Sequence, residues 1–347
     1  MSAPAQTPRR GRTRSAPSNR PIFVVACARS GTTLLQLMLH AHPRIAIPPE
    51  TRFLIPLYEQ RARFGDLTQK PNRRKVARLI VRRPSSKFRN LGLDPGAVMR
   101  RIVKGPPTIG SAAALVYQSY ARRHGKQRWG DKRPAYILHL DMILELFPDA
   151  QIVHIVRDGR DCVSSLKRMR WWTSGSVGAI WYWRAAMRAG AWARATLPAD
   201  QYHELYYESL VANPEAELRR LCDFLGEEFD NAMLAPHQVA HVAVPATKLK
   251  HHHARTDKPV DTSAVARWKE QLDPWEVNLM ELVARRELER HGYQLATRFP
   301  VPSPGRLMAF ARYAVRRRLK AIVKKRQRAR TARTYTDPVA SRLKTTR

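Results

Sequence analysis

Residues Pro21 to Leu39 read PIFVVACARSGTTLLQLML, and no other stretch limits the possible folds as strongly. Ile22, Phe23, Val24 and Val25 form an unbroken apolar run suited to a parallel strand covered on both faces. Leu34, Leu35, Leu37, Met38 and Leu39 then supply the apolar side of a helix, so strand and helix are joined by Arg29-Ser30-Gly31-Thr32-Thr33 alone. Gly31 permits a tight turn, the free N–H groups of the first helical turn converge, and the hydroxyls of Ser30, Thr32 and Thr33 add donors. Arg29 brings a fixed charge whose planar fork matches phosphate or sulfate oxygens. Ser and Thr are also ordinary helix caps, so the loop alone is equally compatible with a plain helix start. A triphosphate-binding loop needs Gly-Lys-Ser/Thr, which this segment lacks. The loop is too short to wrap a triphosphate and suits one terminal phosphate.

The chain has 347 residues, enough for one large domain or two small ones, with ample apolar content for a core. No stretch approaches the roughly 18 consecutive apolar residues of a membrane span. The N-terminus is basic without an apolar signal core, which leads to a cytoplasmic reading. Cys27, Cys162 and Cys222 are odd in number and widely spaced, against a disulfide framework or zinc site and in favour of packing. His251, His252 and His253 are adjacent and diverge on any regular backbone, so no metal site is expected.

Net charge is +35, and its distribution is more informative than its sum. Residues 1–20 are basic, rich in Pro and Ser and without an acid, and are expected to be disordered, as is the extreme C-terminus. The domain is expected over 21–297 and a basic extension over 298–347. Within that extension Leu307, Ala311, Val315, Leu319 and Ile322 fall on one helical face with Arg and Lys opposite. Three readings stand: a helix on an anionic membrane surface, a helix docked on its own domain, or an arm that binds polyanions without sequence preference.

Strand and helix signals alternate along 21–297. A short strand is expected over Arg44–Ile47, followed by a basic, proline-broken stretch to about Arg128 read as short helices and loops forming a lid or acceptor region. Helices are expected over Tyr136–Phe147, Arg160–Met169, Ser176–Ala195, Pro214–Leu225 and Pro274–His291, and strands over Gln151–Val156 and Tyr202–Tyr206. The alternation predicts an α/β fold of three layers, P-loop-like, with a central parallel sheet flanked by helices. Ligands in such sheets bind at the carboxyl ends of the strands, where the Arg29 loop and the segment after Val156 both begin.

That second segment reads QIVHIVRDGRDCVSSL, again a strand emptying into a charged turn and a helix. Arg157 leaves the strand end, and Ser165 lies where its hydroxyl can reach back to a group that Arg157 holds. A surface ion-pair cluster of Arg157, Asp158, Arg160 and Asp161 is the plain alternative. Together, ARSGTT and VRDGRDCVSS resemble the paired signature of sulfotransferases that use 3'-phosphoadenosine 5'-phosphosulfate. The resemblance runs over roughly Pro21 to Leu295, and LHAHPRIAIPPETRF and GDKRP are similar to the bacterial branch related to tyrosylprotein sulfotransferases. It implies that Arg29, Ser30, Gly31, Thr32 and Thr33 bind the 5'-phosphosulfate and that Arg157 and Ser165 bind the 3'-phosphate. It matches Tyr207, in LYYESL, to a donor-contacting tyrosine, and Lys258 to a phosphate contact. Ala28 replaces the usual proline, and Met169 stands where that branch has an arginine, so that this contact is either missing or supplied by Arg168. The branch's transition-state serine has no clear counterpart here.

Sulfuryl transfer to a hydroxyl needs a base, positive charge around the moving group, and stabilisation of the departing phosphate. The resemblance places a catalytic glutamate at Glu50, in ETRF after two rigid prolines, and a lysine at Lys132; Arg29 is the second electrostatic candidate. An N-cap or surface glutamate and a solvated lysine are the plain readings. Trp171 and Trp172 are placed near the acceptor pocket, Trp181 and Trp192 in packing. The expected activity is sulfuryl transfer to a hydroxyl of a small molecule, glycan, lipid or tyrosyl group, without a metal. Two other readings remain: a small-molecule kinase with an atypical phosphate loop, and a non-catalytic basic nucleic-acid-binding protein.

Overall fold

The structure is a computed structural model and describes residues 18–240, 260–298 and 301–343. Five parallel strands, β1 (Ile22–Ala26), β2 (Ile45–Ala46), β3 (Arg128–Lys132), β4 (Gln151–Val156) and β5 (Tyr202–Tyr206), form one sheet in the order β2-β3-β1-β4-β5. β1 lies centrally, with Val24 opposite Lys132 on β3 and Ala26 opposite Ile155 on β4. Its alternate side chains serve two cores: Phe23 and Val25 join one, and Ile22, Val24 and Ala26 the other. Each fully buried Phe or Ile contributes roughly 1.5–3 kcal/mol. The covering helices complete the expected three layers.

The sheet contains one strand that the apolar pattern misses. Arg128-Trp129-Gly130-Asp131-Lys132 is charged, yet every residue of β3 is buried. Burial is tolerated because the charges are matched. Arg128 meets Glu227 at 3.0 Å and donates to the carbonyls of Arg20 and Leu225. Gly130 is required by close approach, since a Cβ there would lie 2.5 Å from the Ile22 carbonyl oxygen.

Other boundaries differ in instructive ways. The expected helix over Pro274–His291 is two, Pro274–Val283 and Arg285–Arg290, separated at Ala284. The proline-broken stretch before Arg128 contains helices Lys70–Arg82, Pro95–Lys104 and Ile109–Arg123. The last is largely buried, so this region contributes to the core instead of forming only a cover. Arg20 belongs to the fold, donating from Nε to the Asp149 carbonyl at 2.7 Å. Near the C-terminus, the Gly110 and Ser341 N–H groups bond to the Val339 and Leu146 carbonyls, fastening a segment that composition alone marks as disordered.

Candidate active site

The sheet order lines up the predicted residues along one edge. Glu50 follows β2, Lys132 ends β3, the Arg29 loop follows β1, Arg157 follows β4 and Tyr207 follows β5. Lys258 and the three histidines lie outside the described residues.

In the first loop Arg29 has φ 76° and Gly31 φ 88°, so left-handed positions bracket Ser30. Alternating backbone of this kind forms anion-binding concavities. Gly31 cannot be replaced cheaply, because a Cβ would lie 2.4 Å from Cδ2 of Tyr207. Helix Thr32–Ala41 starts with no side-chain cap bond and no acid in its first turn, leaving its positive end to an incoming anion. Ser30 Oγ lies 3.4 Å from Cys162 Sγ, and all three cysteines are buried and free.

Arg157 is the second anchor. Its Nη1 donates to the Arg29 carbonyl at 3.0 Å, its guanidinium lies 4.4 Å from the centre of the Tyr207 ring, and Asp161 stands 3.5 Å away. It also donates to the Ala264 carbonyl. Its Nε is buried with no hydrogen-bond partner among the described residues. Ser165 meets the first loop, accepting from Arg29 Nε at 3.0 Å.

Electrostatics at this end favour an anion. Burial lowers the pKa of Arg29, and the charges of Arg157 and Arg168 push it further down. Arg168 is lowered too, by burial and then by Arg267. Arg157 itself is raised, because Cys162, Asp161, Tyr207 and Glu208 together outweigh its burial, and Asp161 beside it has its own pKa raised by burial.

At the opposite end a carboxylate stands between two cations. Glu50 Oε2 lies 4.0 Å from Lys132 Nζ, and its Oε1 accepts from Arg52 Nε at 3.2 Å. Pro49 and Thr51 are buried on either side of Glu50, which fixes the backbone that carries it. Below them Asp131, fully buried, accepts from Tyr117 and Tyr136 at 2.7 Å, from Thr51 at 3.0 Å and from the Lys132 N–H at 2.9 Å. Burial raises its pKa while these bonds oppose the rise. Asp131 therefore joins the segments that hold Glu50 and Lys132.

Three contributors escape sequence reasoning. Asp131 is one, unmarked because two of its hydroxyl partners, Thr51 and Tyr117, lie 80 and 14 residues away in the chain. Trp183 is fully buried and donates to the Arg157 carbonyl at 3.0 Å, fixing the second anchor. Asp161 accepts from the Ala266 and Trp268 N–H groups, both at 2.9 Å, tying the segment with Ala264 and Arg267 to helix Gly159–Lys167. Of the other tryptophans, Trp172 packs on Tyr182, and Trp181 packs between Tyr313 and Arg317. Trp192 is 47% exposed, which corrects its assignment to packing: its helix turns that position to solvent.

Residues 21–231 match the sequence profile of the sulfotransferase family. The chain belongs to the sulfotransferase family. The Arg29 loop, the Arg157 anchor and the charged β3 all lie inside the matched range. Protein-tyrosine sulfotransferase A of Caenorhabditis elegans is 26% identical over 279 residues, 78% of this sulfotransferase and 67% of the relative. Protein-tyrosine sulfotransferase of Drosophila melanogaster is 25% identical over 260 residues, 72% of this chain and 47% of the relative. The chain thus spans about half the length of the Drosophila protein. Among solved structures, the sulfotransferase domain from the Synechococcus PCC 7002 olefin synthase is similar, with TM-score 0.58 and 26% identity. It covers 82% of this chain and 98% of its own. The sulfotransferase domain from the curacin biosynthetic pathway shares the fold at TM-score 0.54 and 23% identity, covering 81% of this chain and 100% of its own.

Proposed function

We propose that the chain transfers a sulfuryl group from 3'-phosphoadenosine 5'-phosphosulfate to a hydroxyl, with Glu50 as general base. The observation that carries this reading is Arg157, a buried cation with an unsatisfied Nε beside a second arginine whose charge it disfavours. An anion with two separated phosphate-like ends relieves both. Arg29, Ser30, Gly31, Thr32 and Thr33 receive the 5'-phosphosulfate; Arg157 and Ser165 receive the 3'-phosphate, with Tyr207 as wall and Lys258 as further contact. The acceptor oxygen attacks sulfur, the bond from sulfur to the bridging oxygen breaks, and the acceptor proton passes to the Glu50 carboxylate. Lys132 and Arg29 offset the charge that grows on the bridging and equatorial oxygens. The chemistry assigns no step to a metal.

The acceptor class is a hydroxyl on a small molecule, glycan, lipid or tyrosyl group. The test is transfer of labelled sulfuryl from the phosphosulfate donor to a panel of such acceptors. Wild type is expected to label at least one acceptor class, and Glu50→Gln none, with 3',5'-bisphosphoadenosine still bound. Equal loss of bisphosphate affinity in Glu50→Gln overturns the assignment of Glu50.

A further inference from the structure

The C-terminal helix Pro304–Thr334 is docked, but by the side the apolar pattern would not choose. Phe310 is its one buried residue, Tyr313 meets Trp181, and Arg317 lies over the Trp181 ring at 4.7 Å. Further along, Lys324 pairs with Glu59 at 2.6 Å, and Arg328 with Asp141 at 3.1 Å. The apolar stripe faces the other way. Met308 is 61% exposed, Val315 and Leu319 each 58%, Val323 54% and Ile322 42%. At helical spacing these form one continuous ridge.

Arg312, Arg316 and Lys320 run along one flank of the ridge, Arg318 and Lys325 along the other, all exposed, and the helix contains no acidic residue. A folded domain has little reason to leave such a ridge in water, and a protein partner would have to meet apolar side chains inside two rows of cations. An anionic lipid surface offers both complements at once: an acyl region for the ridge and headgroup phosphates for the flanks. Among the described residues no helix is long and apolar enough to cross a membrane, so the contact is peripheral.

We infer that the outward face of this helix binds an anionic phospholipid surface, with Val315, Leu319 and Ile322 entering the interface. The inference rests on the docked orientation of the helix and is independent of the donor assignment. The test is flotation of the full chain with vesicles of phosphatidylcholine alone and of phosphatidylcholine with phosphatidylglycerol. Wild type is expected to float with the phosphatidylglycerol vesicles and much less with phosphatidylcholine alone. The double variant Val315→Asp/Leu319→Asp should weaken that binding by about tenfold or more. These residues are exposed, so the fold is expected to survive, checked by an unchanged melting temperature. Absence of binding to phosphatidylglycerol vesicles overturns the inference. So does vesicle binding that the double variant leaves intact and that DNA or salt abolishes, the behaviour of a general polyanion surface. A concentration-dependent dimer of wild type, lost in the variant while flotation is not, assigns the ridge to a second copy and equally overturns it.

Discussion

The two ends of the carboxyl edge solve opposite electrostatic problems. Around Arg29 and Arg157, burial and then the charge of Arg157 depress Arg29, while Asp161 and Glu208 favour the charge of Arg157. Around Glu50 and Lys132 the charges are paired at 4.0 Å, and the buried Asp131 is satisfied by three hydroxyls and an N–H. On the proposed function the first end takes charge from a ligand, whereas the second keeps a carboxylate and an amine in fixed relation. Binding and chemistry are therefore expected to separate under mutation.

The largest effect should come from the paired end. Glu50→Gln is expected to lower kcat by about 10²–10⁴ while leaving 3',5'-bisphosphoadenosine affinity unchanged, read by initial rates and calorimetry. Arg157→Ala should do the reverse, weakening bisphosphate binding by about 10–100-fold, because it removes a charge-assisted contact from a buried site. A uniform loss in both variants would erase the distinction between the two ends.

Smaller effects sharpen it. Asp131→Asn should lower kcat by about tenfold and reduce stability, with bisphosphate affinity retained, since it loosens only the frame of Glu50 and Lys132. Gly31→Ala should cost about 1–3 kcal/mol of stability through the left-handed backbone, measured by denaturant unfolding. Adding Tyr207→Ala should recover the part of the loss due to the Tyr207 contact. The smallest effect lies away from both ends. Burial, followed by the charge of Lys126, lowers His40 from 6.5 to about 3. A depressed histidine stabilises the fold above its unfolded pKa, and that contribution is lost as pH falls from about 6.5 towards 3. At about pH 5 the loss should be on the order of 1–2 kcal/mol, with a shallower slope in His40→Asn.

Much of this arrangement was legible in the sequence, and the gaps have physical causes. β1, β4 and β5 announce themselves as apolar or aromatic runs, so the loops at their ends could be read as neighbours. β3 could not, because pattern reading assumes that charge means exposure, whereas Arg128 and Asp131 are buried with partners far along the chain. Glu50 and Lys132 stand out as candidates through their motifs; Asp131, the residue that joins their segments, does not, because Tyr117 and Thr51 become its partners only in three dimensions. The C-terminal helix shows the converse: its period predicts a helix correctly, but periodicity cannot tell which face meets the domain.

The central claim is that the crowded arginines form a site for a doubly phosphorylated adenosine. Calorimetric titration of the full chain with 3',5'-bisphosphoadenosine, in the absence of magnesium, tests it most directly. The account predicts saturable binding in wild type that is retained in Glu50→Gln and sharply weakened in Arg157→Ala. No binding in wild type, or equal binding in Arg157→Ala, would contradict it.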